Sequence, residues 1–354
     1  MRFTSVLALL LLPLASWLAV ACGGGGGAAR PTDQPVDAEP LTDRLLVVRD
    51  TGIVELDLAT GDEQSLIPDF PDALVADPVI SPDGRQIAFS ALLQGIPLPD
   101  GTPDFGADVY VADRDGGNQR LLYGHQVRGE QVRSPAWLTN GTLLFSVQRF
   151  EQTGFVAQIR VLDLATGASD VVVDGAVQAT ASADGTRIAY VSIDQNGLQA
   201  LWVADADGKN ARALAGTDQL LGVIISPRFS PDGRFLVFGA GESVLPAAGR
   251  DPGAEFVSRH RGAASEQPRP SLFYNGVPTD IWIIDLETGE PAKLADANAD
   301  QPSLAWSGDG LRLFALDVNG LFVIDPGGGE LPRRVGEGTF HGQLDWLSVA
   351  PPTP

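Results

Sequence analysis

A short turn, written repeatedly at a spacing of a few tens of residues, limits this chain more than any other feature. Ser81-Pro82-Asp83-Gly84-Arg85 leads into Gln86-Ile87-Ala88-Phe89, and Ser230-Pro231-Asp232-Gly233-Arg234 into Phe235-Leu236-Val237-Phe238. Ser182-Ala183-Asp184-Gly185 precedes Ile188-Ala189-Tyr190, Ser307-Gly308-Asp309-Gly310 precedes Leu313-Phe314, and Thr139-Asn140-Gly141 precedes Leu143-Leu144-Phe145. Asp-Gly and Asn-Gly supply the positive φ of a hairpin turn, and apolar runs flank each copy. Recurrence of one hairpin at such a period points to a radial repeat.

A second element lies downstream of each hairpin: an apolar strand ending in Asp, then a Gly turn. Its copies end at Asp57, Asp113, Asp163, Asp205, Asp285 and Asp325, and a short strand follows each. Two hairpins make one four-stranded propeller blade. The second element occurs six times and the first five, because the stretch from Arg44 has outer strands and no inner one. Gln343-Leu344-Asp345-Trp346-Leu347-Ser348 is the spare strand that would fill the gap and leave no open edge.

The expectation is an all-β fold, a six-bladed β-propeller of four-stranded blades closed by the C-terminal strand. Residues 44–68 with 343–349 form blade 1, followed by 78–123, 134–174, 178–215, 226–295 and 302–336, with 350–354 as a tail. The Ser-Pro-Asp-Gly-Arg…Phe and Asp-x-x-x-Gly patterns resemble the PD40 repeats of the TolB-like six-bladed propellers. That resemblance covers nearly everything after residue 43 and implies a fold rather than a function, since such propellers serve as scaffolds, binding modules and enzyme domains.

The first 21 residues read as a signal peptide: Met1-Arg2, then an apolar run from Val6 to Val20. Leu18-Ala19-Val20-Ala21-Cys22-Gly23 resembles the lipobox of bacterial lipoproteins, with Ala19 where Leu is usual. The resemblance implies that Cys22 becomes the first mature residue and carries the lipid. Residues 22–43, a glycine run and then a Pro-rich stretch, form a tether. The expected location is therefore extracytoplasmic and membrane-anchored, at the cell surface or periplasmic face. Cys22 is the single cysteine, so no intrachain disulfide exists. The formal charge of −21 argues against nucleic-acid partners.

Short Asp-Gly turns occupy one face of such a propeller and every long connection the other. Insertions at residues 92–106 and 241–279 lie on this second, long-loop face. The longer one carries Arg250, Arg259, His260, Arg261 and Arg269. First-strand starts Asp77, Arg133, Gln178, Arg228, Gln301 and Gln343 are expected to line the channel mouth there. His125, His260 and His341 map to the same face and, with Glu130 or Asp77, offer a metal or acid–base reading. Their spacing lacks His-x-x-x-His, and loop histidines are commonly solvated. Aromatic positions recur before the hairpin turn (Trp137, Phe229, Trp306, Trp346) and within the third strand (Tyr110, Trp202, Trp282, Phe322). Blade-to-blade packing explains that regularity better than a stacking cage.

Peptidases with similar propellers add an α/β domain bearing Gly-x-Ser-x-Gly, which this sequence lacks. Asn140-Gly141-Thr142 and the Asp-Gly stretches at Asp113 and Asp205 read as turn chemistry. The first functional reading is a non-enzymatic propeller, without cofactor, that binds an envelope protein, peptide or glycan. A metal-assisted lyase or hydrolase, and a sensor or accessory subunit of a transporter, are the alternatives.

Overall fold

The computed structural model describes residues 41–152, 154–215, 223–241, 278–300, 302–317, 320–327, 332–336 and 340–347. Cys22 with its leader and the tether as far as residue 40, His260 with most of the 241–279 insertion, and Gln301 fall outside them.

Every regular element described is a strand. The chain runs β1 (Arg44–Arg49), β2 (Gly52–Asp57), β3 (Glu63–Pro68), β4 (Ala73–Ile80), β5 (Gln86–Leu93), β6 (Ile96–Pro97), β7 (Pro103–Asp104), β8 (Ala107–Asp113) and β9 (Arg120–Tyr123). It continues with β10 (Gln131–Thr139), β11 (Thr142–Glu151), β12 (Gly154–Asp163), β13 (Ser169–Asp174), β14 (Ala176–Ala181), β15 (Arg187–Ile193), β16 (Gln199–Asp205) and β17 (Arg212–Ala215). Then follow β18 (Ile224–Phe229), β19 (Phe235–Ala240), β20 (Pro278–Asp285), β21 (Pro291–Asp300), β22 (Ser303–Trp306), β23 (Leu313–Asp317), β24 (Gly320–Ile324), β25 (Arg333–Gly336) and β26 (His341–Leu347).

Three sheets of four take consecutive strands: β14 to β17, β18 to β21 and β22 to β25. A fourth has the order β26-β1-β2-β3, so the last strand of the chain lies against the first. Trp346 is opposite Leu45 in that pairing, and Leu347 opposite Arg44. An eight-stranded sheet takes β4, β5, β8 to β13, its two halves joined through a single parallel pair, Gln131 with Ala107. The insertion at 92–106 folds into the small hairpin β6-β7. β4 begins at Ala73, upstream of the boundary at residue 78 read from the repeat.

The turns carry their own hydrogen bonds, which is why they recur. Ser81 Oγ donates to Asp83 Oδ1 at 2.7 Å and accepts from the Gln86 N–H at 2.9 Å, while Gly84 takes φ 71°. Ser182, Ser230 and Ser307 do the same beside Asp184, Asp232 and Asp309. The Ser182 hydroxyl and the Thr186 N–H hold the Asp184 carboxyl down to about 2. In the second motif Asp57 Oδ1 accepts the Ala59 N–H, and Asp163 Oδ1 those of Ala165 and Thr166.

The core lies between neighbouring sheets. Phe89, Phe145, Phe238 and Phe314, one on the second strand of each of four hairpin pairs, are completely buried. Trp137 and Trp306 are buried too, and their indole N–H groups donate to the Val79 carbonyl (3.2 Å) and the Arg228 carbonyl (3.4 Å) of another inner strand. The recurrent tryptophans thus serve packing between strand groups.

Candidate functional site

The innermost strands repeat a backbone device that the sequence does not announce. Asp77 (φ 53°), Ser134 (53°), Gln178 (55°) and Ser226 (51°) all sit in the left-handed region, with Gly342 (68°) at the matching place in β26. At each of the four the pairing with the second strand slips, as at a β-bulge. Side chains of another strand group satisfy N–H groups at these irregular positions. The Ser134 N–H donates to Asp77 Oδ2 (3.3 Å), Gln178 N–H to Ser146 Oγ (2.9 Å), Ser226 N–H to Gln178 Oε1 (2.9 Å) and Leu344 N–H to Ser303 Oγ (2.9 Å). Non-glycine residues at positive φ cost on the order of 1 kcal/mol or more each, so this strain is concentrated where the inner strands face one another.

Two cavities open among these strands. The smaller, about 210 Å³, is bordered by Asp77, Arg133, Gln178, Ser226, Asp317 and Gln343. Asp77 is fully buried and accepts from Arg133 Nη2 (3.0 Å) and Nε (3.1 Å) and from Ser90 Oγ (3.0 Å). Four of the residues expected at the channel mouth therefore meet there, with the Asp77 charge already neutralised. The larger cavity, about 470 Å³, opens among the Asp-Gly turns, on the face to which the repeat pattern assigned no role. Arg228 borders this second cavity and reaches back to Gln343 Oε1 at 3.0 Å, so it lies between the two.

His125 and Glu130 lie in a separate cluster beside the β6-β7 insertion. His125 Nδ1 meets Asp108 Oδ1 at 2.6 Å and Nε2 meets Asp104 Oδ2 at 3.1 Å. Asp104 also accepts the Gly106 and Gly129 N–H groups, and Arg128 Nε donates to the Pro103 carbonyl. Glu130, buried, accepts from the Gln126 N–H (2.6 Å) and Arg149 Nη1 (3.0 Å). A Cβ on Gly106 would lie 3.0 Å from the His125 ring, so a larger residue there would press the ring against its carboxylates.

With a carboxylate on each nitrogen, the protonated imidazole can donate twice, and in that form it has no lone pair to offer. No group of three or more His, Cys, Asp or Glu is set to hold a metal ion among the described residues. The β26 backbone includes His341, opposite Val48 of β1. Asp104 and Asp108 were not singled out by sequence, because only the folded insertion brings them to His125.

Partial burial works against the His125 charge, but Asp108 and then Asp104 outweigh it and raise its pKa above the usual 6.5. Burial likewise opposes the Asp104 charge, yet the Gly129 and Gly106 N–H groups and His125 hold that carboxyl below its usual value. The histidine's contribution to stability is therefore complete below about pH 6.5 and lost as pH rises through the raised value. The Asp104 contribution is lost only in acid, as pH falls through its lowered value. Melting curves between roughly pH 6 and pH 9 should show the native protein losing more stability than His125→Gln. Parallel curves for the two would contradict the bridge.

No protein-family model matches the chain. The Tol-Pal system protein TolB of Hahella chejuensis is 30% identical over 155 residues, 41% of this chain and 34% of that protein. TolB from Acinetobacter baumannii superposes with a TM-score of 0.57 at 16% identity, covering 86% of this chain and 66% of that one. The fold is that of a TolB-like β-propeller. A puromycin-hydrolyzing peptidase from Mycobacterium tuberculosis shares it at TM-score 0.51 and 16% identity, over 84% of this chain and 46% of that one. The TolB-like chain thus spans about a third of its Hahella relative's length and just under two thirds of the Acinetobacter protein. The TolB-like propeller stands beside both TolB and a peptidase in fold, so the residues of the site have to carry the functional argument.

Proposed function

We propose that this chain is a six-bladed, lipid-anchored extracytoplasmic propeller that binds an envelope protein, peptide or glycan through its long-loop face, without catalysis of its own. The blade count takes the eight-stranded sheet as two blades touching through the Gln131–Ala107 pair. The anchor is Cys22 of the lipobox-like stretch, which places the protein at the cell surface or periplasmic face.

The entry point of the chain supports this orientation. Asp43, just before β1, lies under Arg312 of an Asp-Gly turn and accepts from the Trp346 indole at 2.9 Å. A tether joined there would meet the propeller on its turn face, which supports a long-loop face directed away from the anchor.

The observation that carries the reading is the hairpin β11-β12 on that outward face. Its strands are ten residues each, and Phe150 and Phe155 face one another near its tip with ring centroids 5.0 Å apart. Phe150 is 87% and Phe155 41% exposed. An aromatic pair held in water by a β-ladder has no role in the core, and aromatic side chains are the usual anchors of protein interfaces. Phe105, 57% exposed, belongs to the insertion on the same face. Capture from envelope extracts should separate a Phe150→Ser/Phe155→Ser variant from Leu311→Ser, which removes an exposed leucine of the turn face. Loss of the captured partner from the first alone is expected. Equal recovery with both would overturn the reading.

A further inference from the structure

The cavity among the Asp-Gly turns contains two opposite charges that are not bonded to each other. We propose that it is a second binding site, for a small dipolar ligand of the α-amino-acid class: its carboxylate on Arg228, its ammonium on Asp345 and its side chain against the surrounding tryptophans.

The size fits. About 470 Å³ lies within the range of roughly 300–1,000 Å³ common to small-molecule sites. Trp137, Trp306, Trp346, Pro82 and Pro231 contribute to its walls. The three indole N–H groups are already given to Val79, Arg228 and Asp43, so these rings offer the ligand apolar surface.

Arg228 Nη1 donates to the Pro227 carbonyl at 3.1 Å and Nη2 to Gln343 Oε1 at 3.0 Å. A guanidinium has five donors, so capacity remains, and no ion pair of Arg228 occurs among the described residues. Asp345 Oδ2 accepts the Ile80 N–H (2.8 Å) and Oδ1 the Trp346 N–H (2.9 Å), which leaves each oxygen a second lone pair. Burial pushes the Arg228 guanidinium down and the Asp345 carboxyl up, against the attraction the two charges exert on each other and that of Asp77 on Arg228.

The sign of the ligand follows from that pair. A simple anion attracted by Arg228 would be repelled by Asp345, and a simple cation the reverse. A molecule with a carboxylate next to a cationic nitrogen satisfies both at once. Both protein groups are fixed by bonds to the inner strands, so little ordering is needed on binding. The site is on the opposite face from the Phe150–Phe155 hairpin and is independent of the partner proposed for it.

Calorimetric titration of the full chain with L-phenylalanine and L-leucine tests the idea, with N-acetyl-L-phenylalanine and L-phenylalaninamide as probes lacking one charge each. Saturable binding by the free amino acids is expected, weakened about tenfold or more in either derivative and in Arg228→Gln. The Phe150→Ser/Phe155→Ser variant should bind as the native chain does. The derivative series needs no mutation, so it decides the matter even if Arg228→Gln fails to fold. Absence of binding up to millimolar concentration, or equal affinity for the amino acid and both derivatives, would overturn the proposal.

Discussion

Trp346→Ala is expected to lower the stability of the protein by about 3 kcal/mol, the order seen when a large aromatic side chain is deleted from a packed site. The ring covers Gly308, where an added Cβ would come within 2.2 Å of it, and packs against the cluster that joins β1 to β22, β23 and β24. Its indole also supplies a hydrogen bond to Asp43, which is 1% exposed and has Arg312 as its ion-pair partner at 3.1 Å. Removal therefore opens space at the seam and takes a donor from a buried carboxylate. Trp346→Phe separates the two effects: it keeps most of the packing and should cost about 1–2 kcal/mol for the lost N–H. Chemical denaturation of both variants measures the difference. Equal, negligible losses would mean that the seam does not depend on this residue.

Much of this architecture can be read from residues alone because its turns are local. Ser81, Asp83 and Gly84 complete one another within a few positions, so the pattern Ser-x-Asp-Gly marks the turn wherever it stands. The place of the last strand follows from an unequal count of two repeated elements, and the Leu45–Trp346 pairing agrees with it. The bulges are a different matter. Asp77, Ser134, Gln178 and Ser226 adopt positive φ without glycine, so nothing in their identity gives notice of it. His125 finds its carboxylates 17 and 21 residues away across an insertion, a distance over which no periodicity speaks. The larger cavity was hidden for a third reason. Its walls are turn residues and packing tryptophans, each with a sufficient structural explanation, and only their arrangement makes a concave site with Arg228 and Asp345 inside.

Joining the first and last strands covalently is expected to have the largest effect of any single change, in the stabilising direction. Arg44 and Leu347 are Cα partners in the β1-β26 ladder. Antiparallel partners lie about 4.5–5.5 Å apart, within the reach of a disulfide. A bond there closes a loop containing nearly the whole propeller, and the entropy removed from the unfolded chain corresponds to about 5–6 kcal/mol. Cys22 is the chain's single cysteine, so a Cys22→Ser background leaves the engineered pair as the only thiols. Oxidation of Arg44→Cys/Leu347→Cys in that background, followed by thiol counting and a melting curve, tests directly whether the end of the chain seals the ring. The account predicts complete disulfide formation in the folded monomer and a higher melting temperature that reverts on reduction. Two free thiols in the folded, oxidised protein would contradict it.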